Sequence, residues 1–104
     1  MRLLPMLCLL MLTPTIGSSI ESPSIETGRT LFESPRLGTS GKSCAGCHPQ
    51  GKGLEDSGYL DDTEMVKMIN LCIRKPLKGE PLDPASTEMD SLVLYLRSLF
   101  PAAP

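Results

Sequence analysis

Cys44, Ala45, Gly46, Cys47 and His48 place two thiols three residues apart and an imidazole directly after the second. Three chemistries use thiols at that spacing. A C-x-x-C pair can be half of a zinc site, but zinc takes four ligands. His48 is the one His of the chain, and outside the motif only Cys8 and Cys72 could add a thiol. The pair can be a redox dithiol, which expects a βαβ context, and no such pattern is visible. The third chemistry is covalent attachment of a c-type haem, for which C-x-x-C-H is the attachment pattern. The two thiols add across the two vinyl groups of one porphyrin edge, so they must sit close together. An imidazole at the next position falls beneath the iron once the ring is tethered. Ala45 and Gly46 are small, which is expected to let the backbone lie close to the porphyrin. The sequence therefore assigns Cys44 and Cys47 to thioether bonds with one haem c, and His48 to the iron as an axial ligand.

The other axial position decides potential and reactivity. With a single His, two imidazoles from one chain are excluded. Cys72, Met68, Met65 and Met89 are the candidates, Asn70 is a weaker one, and an open position is the remaining alternative. Met65 and Met68 fall on a mostly apolar stretch, where methionines commonly fill gaps in a core. Met89 sits three residues into an expected helix and can simply pack. Cys72 can be an inert buried thiol, can pair with Cys72 of a second chain, or can bind the iron as thiolate.

The elements that must position these residues follow from the rest of the chain. Met1 and Arg2 precede an apolar run from Leu3 to Leu12, and Pro14, Gly17, Ser18 and Ser19 follow. This is the layout of an export leader, residues 1–19 with an approximate cleavage point. The apolar run is too short for a membrane span. The expected location is periplasmic or otherwise exported, with no stable membrane anchor. Residues 20–104 form one small domain of about 85 residues, marginal for burying a core without help. A covalent haem supplies that help, in keeping with a chain that has no Trp, two Tyr and two Phe. The formal net charge of −2 becomes −3 when Arg2 leaves with the leader. Nothing in that balance suggests nucleic acid, which would call for a basic surface. It is compatible with a basic or neutral redox partner.

Ser24 can cap a first helix in which Ile25, Gly28, Leu31 and Phe32 recur on one face, ended by Ser34 and Pro35. Gly28 on that face costs about 1 kcal/mol against Ala and so calls for a close neighbour. Residues 36–43 read as a Gly/Ser loop leading to the motif. No regular element is expected after His48, where Leu54, Tyr59 and Leu60 should lie against the haem edge. Asp61, Asp62 and Thr63 are cap-type residues before a second helix, apolar nearly all round, which Pro76 closes. A stiff loop with Pro76, Pro81 and Pro84 leads to Ser86 and a last helix. There Leu92, Val93, Leu96, Leu99 and Phe100 form the buried stripe, with Tyr95 and Arg97 toward the rim. The fold class expected is all-α, with about three main helices wrapped around one haem.

Two resemblances bear on this reading. Gly28, Leu31 and Phe32 look like the G-x-x-L-F segment of class I cytochromes c. Leu94, Tyr95 and Leu96 look like the aromatic-bearing stretch of their last helix. In that family the two helices cross at close range, and the resemblance implies that Gly28 permits the crossing. Ile69-Asn70-Leu71-Cys72, Pro76-Leu77-Lys78-Gly79, Ser86, Glu88-Met89 and Tyr95-Leu96 form a second pattern. It is similar to the haem domains of SoxA-type sulfur-oxidation cytochromes and thiosulfate dehydrogenases. That resemblance implies Cys72 as the distal iron ligand. Those proteins usually carry more than one haem domain or a partner subunit, whereas this chain has one motif.

The expected function is an exported monohaem c-type cytochrome in electron transfer. It would meet redox partner proteins at the exposed haem edge, with Lys42, Lys52 and Lys78 able to orient docking. The alternative is a haem subunit or enzyme domain in thiosulfate oxidation with a Cys-ligated haem. There is no Ser-His-Asp set, metal cluster or phosphate loop, which favours a carrier over an enzyme. A sensor with a labile sixth ligand is neither supported nor excluded.

Overall fold

The computed structural model describes residues 22–101. The expected leader, residues 1–19, lies outside them. The described chain is all-α: α1 (Ile25–Glu33), a one-turn α2 (Cys44–Cys47), α3 (Asp62–Arg74) and α4 (Thr87–Leu99). Among the described residues no strand forms. None of these helices is long and apolar enough to cross a membrane.

Each long helix begins where side-chain oxygens meet otherwise unpaired backbone N–H groups. Ser24 Oγ accepts the Thr27 N–H at 3.0 Å and donates to Thr27 Oγ1 at 2.9 Å. Asp61 and Glu64 form a capping box: Asp61 Oδ1 accepts the Glu64 N–H at 2.8 Å, and Glu64 Oε2 accepts the Asp61 N–H at 3.3 Å. Ser86 Oγ accepts the Met89 N–H at 3.1 Å.

The frame is the packing of α1 on α4. Gly28 is buried in that contact, and a Cβ there would meet the Ser91 carbonyl and come within 2.7 Å of Tyr95 Cβ. Only a residue without a side chain lets the two backbones approach so closely. Four residues on, Phe32 meets Tyr95 with ring centroids 5.3 Å apart and planes tilted by 55°. The contact is fixed at its other end by the Ser24 N–H, which donates to the fully buried Ser91 Oγ at 3.1 Å. Tyr95, expected toward the rim, is therefore a core residue at 7% exposure. It is drawn inward because the gap left by Gly28 accommodates its stem. Ile25, expected on the buried face, is 50% exposed at the first position of α1, one turn before the buried Gly28 and Phe32.

α3 completes the core with Met65, Ile69 and Ile73 on one stripe. It is less uniformly buried than its composition suggests, and Leu71 is 50% exposed. Arg97 ties α4 to its start, donating to Asp62 Oδ1 at 2.7 Å and to the Leu60 carbonyl at 2.9 Å. Asn70 fastens the proline-rich loop through both ends of its amide. Its Nδ2 donates to the Leu82 carbonyl at 3.0 Å, and its Oδ1 accepts the Leu82 N–H at 2.9 Å.

The stretch after His48 is more regular than its glycines suggest. Two 3₁₀ turns form, Pro49–Gly51 and Glu55–Tyr59. Bonds three residues apart satisfy the backbone where an α-helix is not sustained. They include Gly51 N–H to the His48 carbonyl at 2.9 Å and Leu54 N–H to the Gly51 carbonyl at 2.9 Å. The loop before the motif is clasped to the loop after α3. Ser40 N–H donates to the Leu77 carbonyl at 3.0 Å, and Thr39 donates to the Lys78 carbonyl from its N–H at 3.2 Å and its hydroxyl at 2.9 Å.

Candidate functional site

α2 is a single helical turn, and its geometry decides what the motif can reach. Ser43 caps it, with Oγ accepting the Gly46 N–H at 3.0 Å, and the His48 N–H closes it on the Cys44 carbonyl at 2.8 Å. In such a turn positions three and four apart share a face. Cys44, Cys47 and His48 accordingly line one cavity. Ala45 and Gly46 fall on the other sides: Ala45 packs against the core and Gly46 is exposed. The expectation that these two small residues admit a ring to the backbone is therefore replaced by a simpler role. They let the turn form without filling the space beside it.

The cavity is an open slot with about 60 Å³ of room between its walls. α3 contributes Met68, Ile69 and Cys72, one helical turn separating Met68 from Cys72 on the same face. Phe32, Leu92 and Leu96 form the wall supplied by the α1–α4 frame, and Leu54, Pro76 and Leu77 complete the lining. Its surface is almost wholly apolar. The chain thus gathers two thiols, one imidazole, one thioether and a third thiol around an otherwise greasy slot.

Met65 and Met89 are placed elsewhere. Both are fully buried in the core and neither lines the cavity. Asn70 has its amide committed to Leu82. Of the residues expected near the edge, Leu54 lines the cavity, while Leu60 is half-buried outside it and Tyr59 is 76% exposed.

His48 is oriented by its own loop. Its Nδ1 lies 2.9 Å from the Lys52 carbonyl oxygen. A carbonyl can only accept, so Nδ1 carries the proton and Nε2 keeps the lone pair. A metal-ligating His commonly shows this arrangement, its second nitrogen donating to a backbone carbonyl. Gly53, at φ +93°, makes the turn possible, since a Cβ would sit 3.2 Å from His48 Nδ1.

The thiols sense each other. Burial pushes the Cys44 thiol from its ordinary value of about 9 to about 11, and the neighbouring Cys72 adds to the rise. Burial, then the nearby Cys47, pushes the Cys72 thiol upward as well. Cys44, Cys47 and Cys72, the cysteines among the described residues, are free of disulfides. Among the described residues no three His, Cys, Asp or Glu side chains gather as for a bare metal ion.

No protein-family model, curated protein or solved structure matches this chain. The reading of the site therefore stands on its own residues. Several lining residues carry no mark of the site in the sequence. Ser43 does carry a local one, as a cap-type residue directly before the motif. Pro76 and Leu77 line the cavity from a loop whose course depends on the clasp with residues 39 and 40, which no local pattern announces.

Charge is segregated around the cavity. Residues 34–54 and 65–79, which carry the motif, Met68 and Cys72, include no Asp or Glu. They hold Arg36, Lys42, Lys52, Arg74, Lys75 and Lys78, all exposed, together with Lys67. The ion pairs among the described residues involve only Arg29 and Arg97, outside those segments. A net acidic chain thus concentrates cations on the two segments that bear the motif, Met68 and Cys72, with Glu55 and Asp56 directly following the first.

Proposed function

We propose that this chain is an exported c-type cytochrome that carries one haem c and passes single electrons between partner proteins. The observation that carries the proposal is the joint lining of one apolar slot by Cys44, Cys47, His48, Met68 and Cys72. The residues present fit the group: two thiols for thioether bonds, an imidazole with Nε2 free, and apolar walls for the ring. When bound, the haem supplies a one-electron iron couple tuned by axial ligands and burial. Cys44 and Cys47 would hold the ring through thioethers, each S–H adding across a vinyl group with no net oxidation. His48, held by the Lys52 carbonyl, would offer Nε2 to the iron. Phe32, Leu92 and Leu96 exclude water and keep the surroundings of low polarity. For the second axial donor Cys72 is the first choice and Met68 the second, both on the cavity face of α3. Met65 and Met89 drop behind them because they serve the core.

The cationic segments beside the slot favour an acidic partner surface, in place of the basic or neutral partner suggested by net charge. Such docking is steered by charge and weakened by salt. A second reading, a Cys-ligated haem domain in thiosulfate oxidation, draws on Cys72 and on the same cations as sites for an anionic substrate.

Expression with a haem-attachment system tests the proposal. Intact mass should rise by one haem, and denaturation should not release it. Cys44→Ser with Cys47→Ser should abolish the gain. A chain recovered without covalent haem would overturn the reading. Electron paramagnetic resonance of the oxidised protein then separates the donors. A low-spin thiolate signal lost in Cys72→Ala assigns Cys72, and a spectrum altered only by Met68→Ala assigns Met68. Thiosulfate turnover would favour the second reading, and exchange with a redox protein without turnover the first.

A further inference from the structure

We propose that Glu55 is a positioning residue for His48, acting through the single peptide unit that joins Lys52 to Gly53. The inference rests on the reading of His48 as an axial ligand. His48 Nδ1–H donates to the Lys52 carbonyl at 2.9 Å, and the N–H of that same peptide, on Gly53, donates to Glu55 Oε1 at 3.0 Å. Imidazole, peptide and carboxylate therefore form one continuous hydrogen-bonded chain. A carboxylate pulling on the N–H end of an amide raises the electron density on its carbonyl oxygen. Hydrogen bonds linked in this way strengthen one another. The Lys52 oxygen becomes a better acceptor, the Nδ1–H bond lengthens, and Nε2 becomes a stronger donor. Such outer groups fix the tautomer and raise ligand basicity at metal-bound histidines.

The backbone is built for this path. Gly53 at φ +93° turns its N–H toward Glu55 while its Cα lies against the imidazole, where a side chain would crowd Nδ1. The peptide is held on both sides, by Lys52 N–H to the Pro49 carbonyl at 3.0 Å and Leu54 N–H to the Gly51 carbonyl at 2.9 Å. Asp56, the next carboxylate along, makes no bond to this peptide and serves as an internal control. The competing role for Glu55 is a local staple of its turn, with no effect on His48.

The test uses the full chain with and without haem. In the haem-loaded protein Glu55→Ala should shift the midpoint potential upward, because a less electron-rich imidazole favours ferrous iron. Glu55→Gln keeps an acceptor without the charge and should shift it less, and Asp56→Asn should leave it in place. The His48 Nδ1 proton resonance should move upfield in the same order. In the haem-free chain, ring nitrogen-15 shifts should show the Nδ1–H tautomer of His48 in the parent and a loss of that tautomer in Glu55→Ala. Equal potential shifts in Glu55→Ala and Asp56→Asn would reduce the effect to a general field and overturn the relay. So would lower stability in Glu55→Ala with potential and tautomer unchanged. Failure to take up haem would count against the proposed function, while the tautomer measurement still decides the relay.

Discussion

Replacing Gly28 with Ala adds one methyl group to the chain and should unfasten its frame. The new Cβ would lie 2.7 Å from Tyr95 Cβ and 2.6 Å from the Ser91 carbonyl carbon. Carbon atoms rest about 3.5–4.0 Å apart, so α1 must withdraw by about 1 Å. Overpacking of this kind costs about 1–3 kcal/mol, and the obstacle here is helix backbone, which yields least. Withdrawal also stretches the Ser24 N–H to Ser91 Oγ bond, now 3.1 Å, in a place closed to water. That loss is worth about 1 kcal/mol. The Phe32–Tyr95 pair gives up part of about 0.5–1.5 kcal/mol beyond its burial. Against these, Ala gains about 1 kcal/mol over Gly in a helix interior. The net expectation is a loss of about 3 kcal/mol. For a domain of this size that lowers the melting temperature by about 15 °C. Urea unfolding followed by helical circular dichroism measures it, with an unchanged denaturant slope showing that the same surface unfolds. Phe32, Leu92 and Leu96 stand on the same two helices, so the slot should widen in parallel. A Gly28→Ala protein as stable as its parent would refute the close-crossing argument, because the helix-propensity gain would then stand unopposed.

Asn70→Ala removes both bonds to Leu82 and should cost about 2 kcal/mol in urea unfolding, with faster hydrogen exchange at the Leu82 amide. Asn70→Asp keeps the acceptor but sets a carboxylate oxygen against the Leu82 carbonyl about 3.0 Å away, so it should recover none of that loss at neutral pH. In the haem-free chain Cys47, which is exposed, should be alkylated first at pH 8. Burial holds the Cys44 thiol up to about 11, so its thiolate share lies about a hundredfold below that of an ordinary thiol, and the shift on Cys72 acts in the same direction. Because these thiols are held neutral by folding, stability should fall as pH rises from about 9 toward about 11, a trend that Cys44→Ser should flatten. Lys75→Glu with Lys78→Glu should slow association with an acidic redox partner about tenfold at low ionic strength, and the difference should vanish at high salt. Arg29→Glu, away from the slot, should leave that rate unchanged.

Much of this architecture is written locally. Ser24, Asp61 and Ser86 announce the starts of α1, α3 and α4 through cap chemistry that depends on three or four neighbouring residues. The unusual Gly28 already demands a close partner, which turns out to be Ser91 and Tyr95. The spacing of Cys44, Cys47 and His48 is likewise local, and one helical turn is enough to bring the three to the same cavity. What escaped local reading depends on distant contacts. Tyr95 carries a hydroxyl and so reads as a rim residue, but the gap left by Gly28 and the ring of Phe32 draw it inside. Met65, Met68 and Met89 are alike in composition and apolar setting. Only the rotation of α3 against α4 assigns Met68 to the slot and the other two to the core. The cationic segments are invisible to a net charge of −2, since that value averages over the whole chain.

The clasp between residues 39–40 and 77–78 divides labour within the chain. Every thiol, imidazole or thioether that lines the slot, from Cys44 to Cys72, falls inside the loop that this clasp closes. Outside it stand α1 and α4, which line the slot only with Phe32, Leu92 and Leu96. Donor chemistry and structural support are therefore carried by separate stretches of sequence. On the proposed haem reading, exchange of Met68 or Cys72 would retune the iron without disturbing the Gly28 crossing, and changes to the crossing would alter stability without altering the donor set. A chain organised in this way can explore new potentials and reactivities by substitution within one closed loop, while the same two helices hold it.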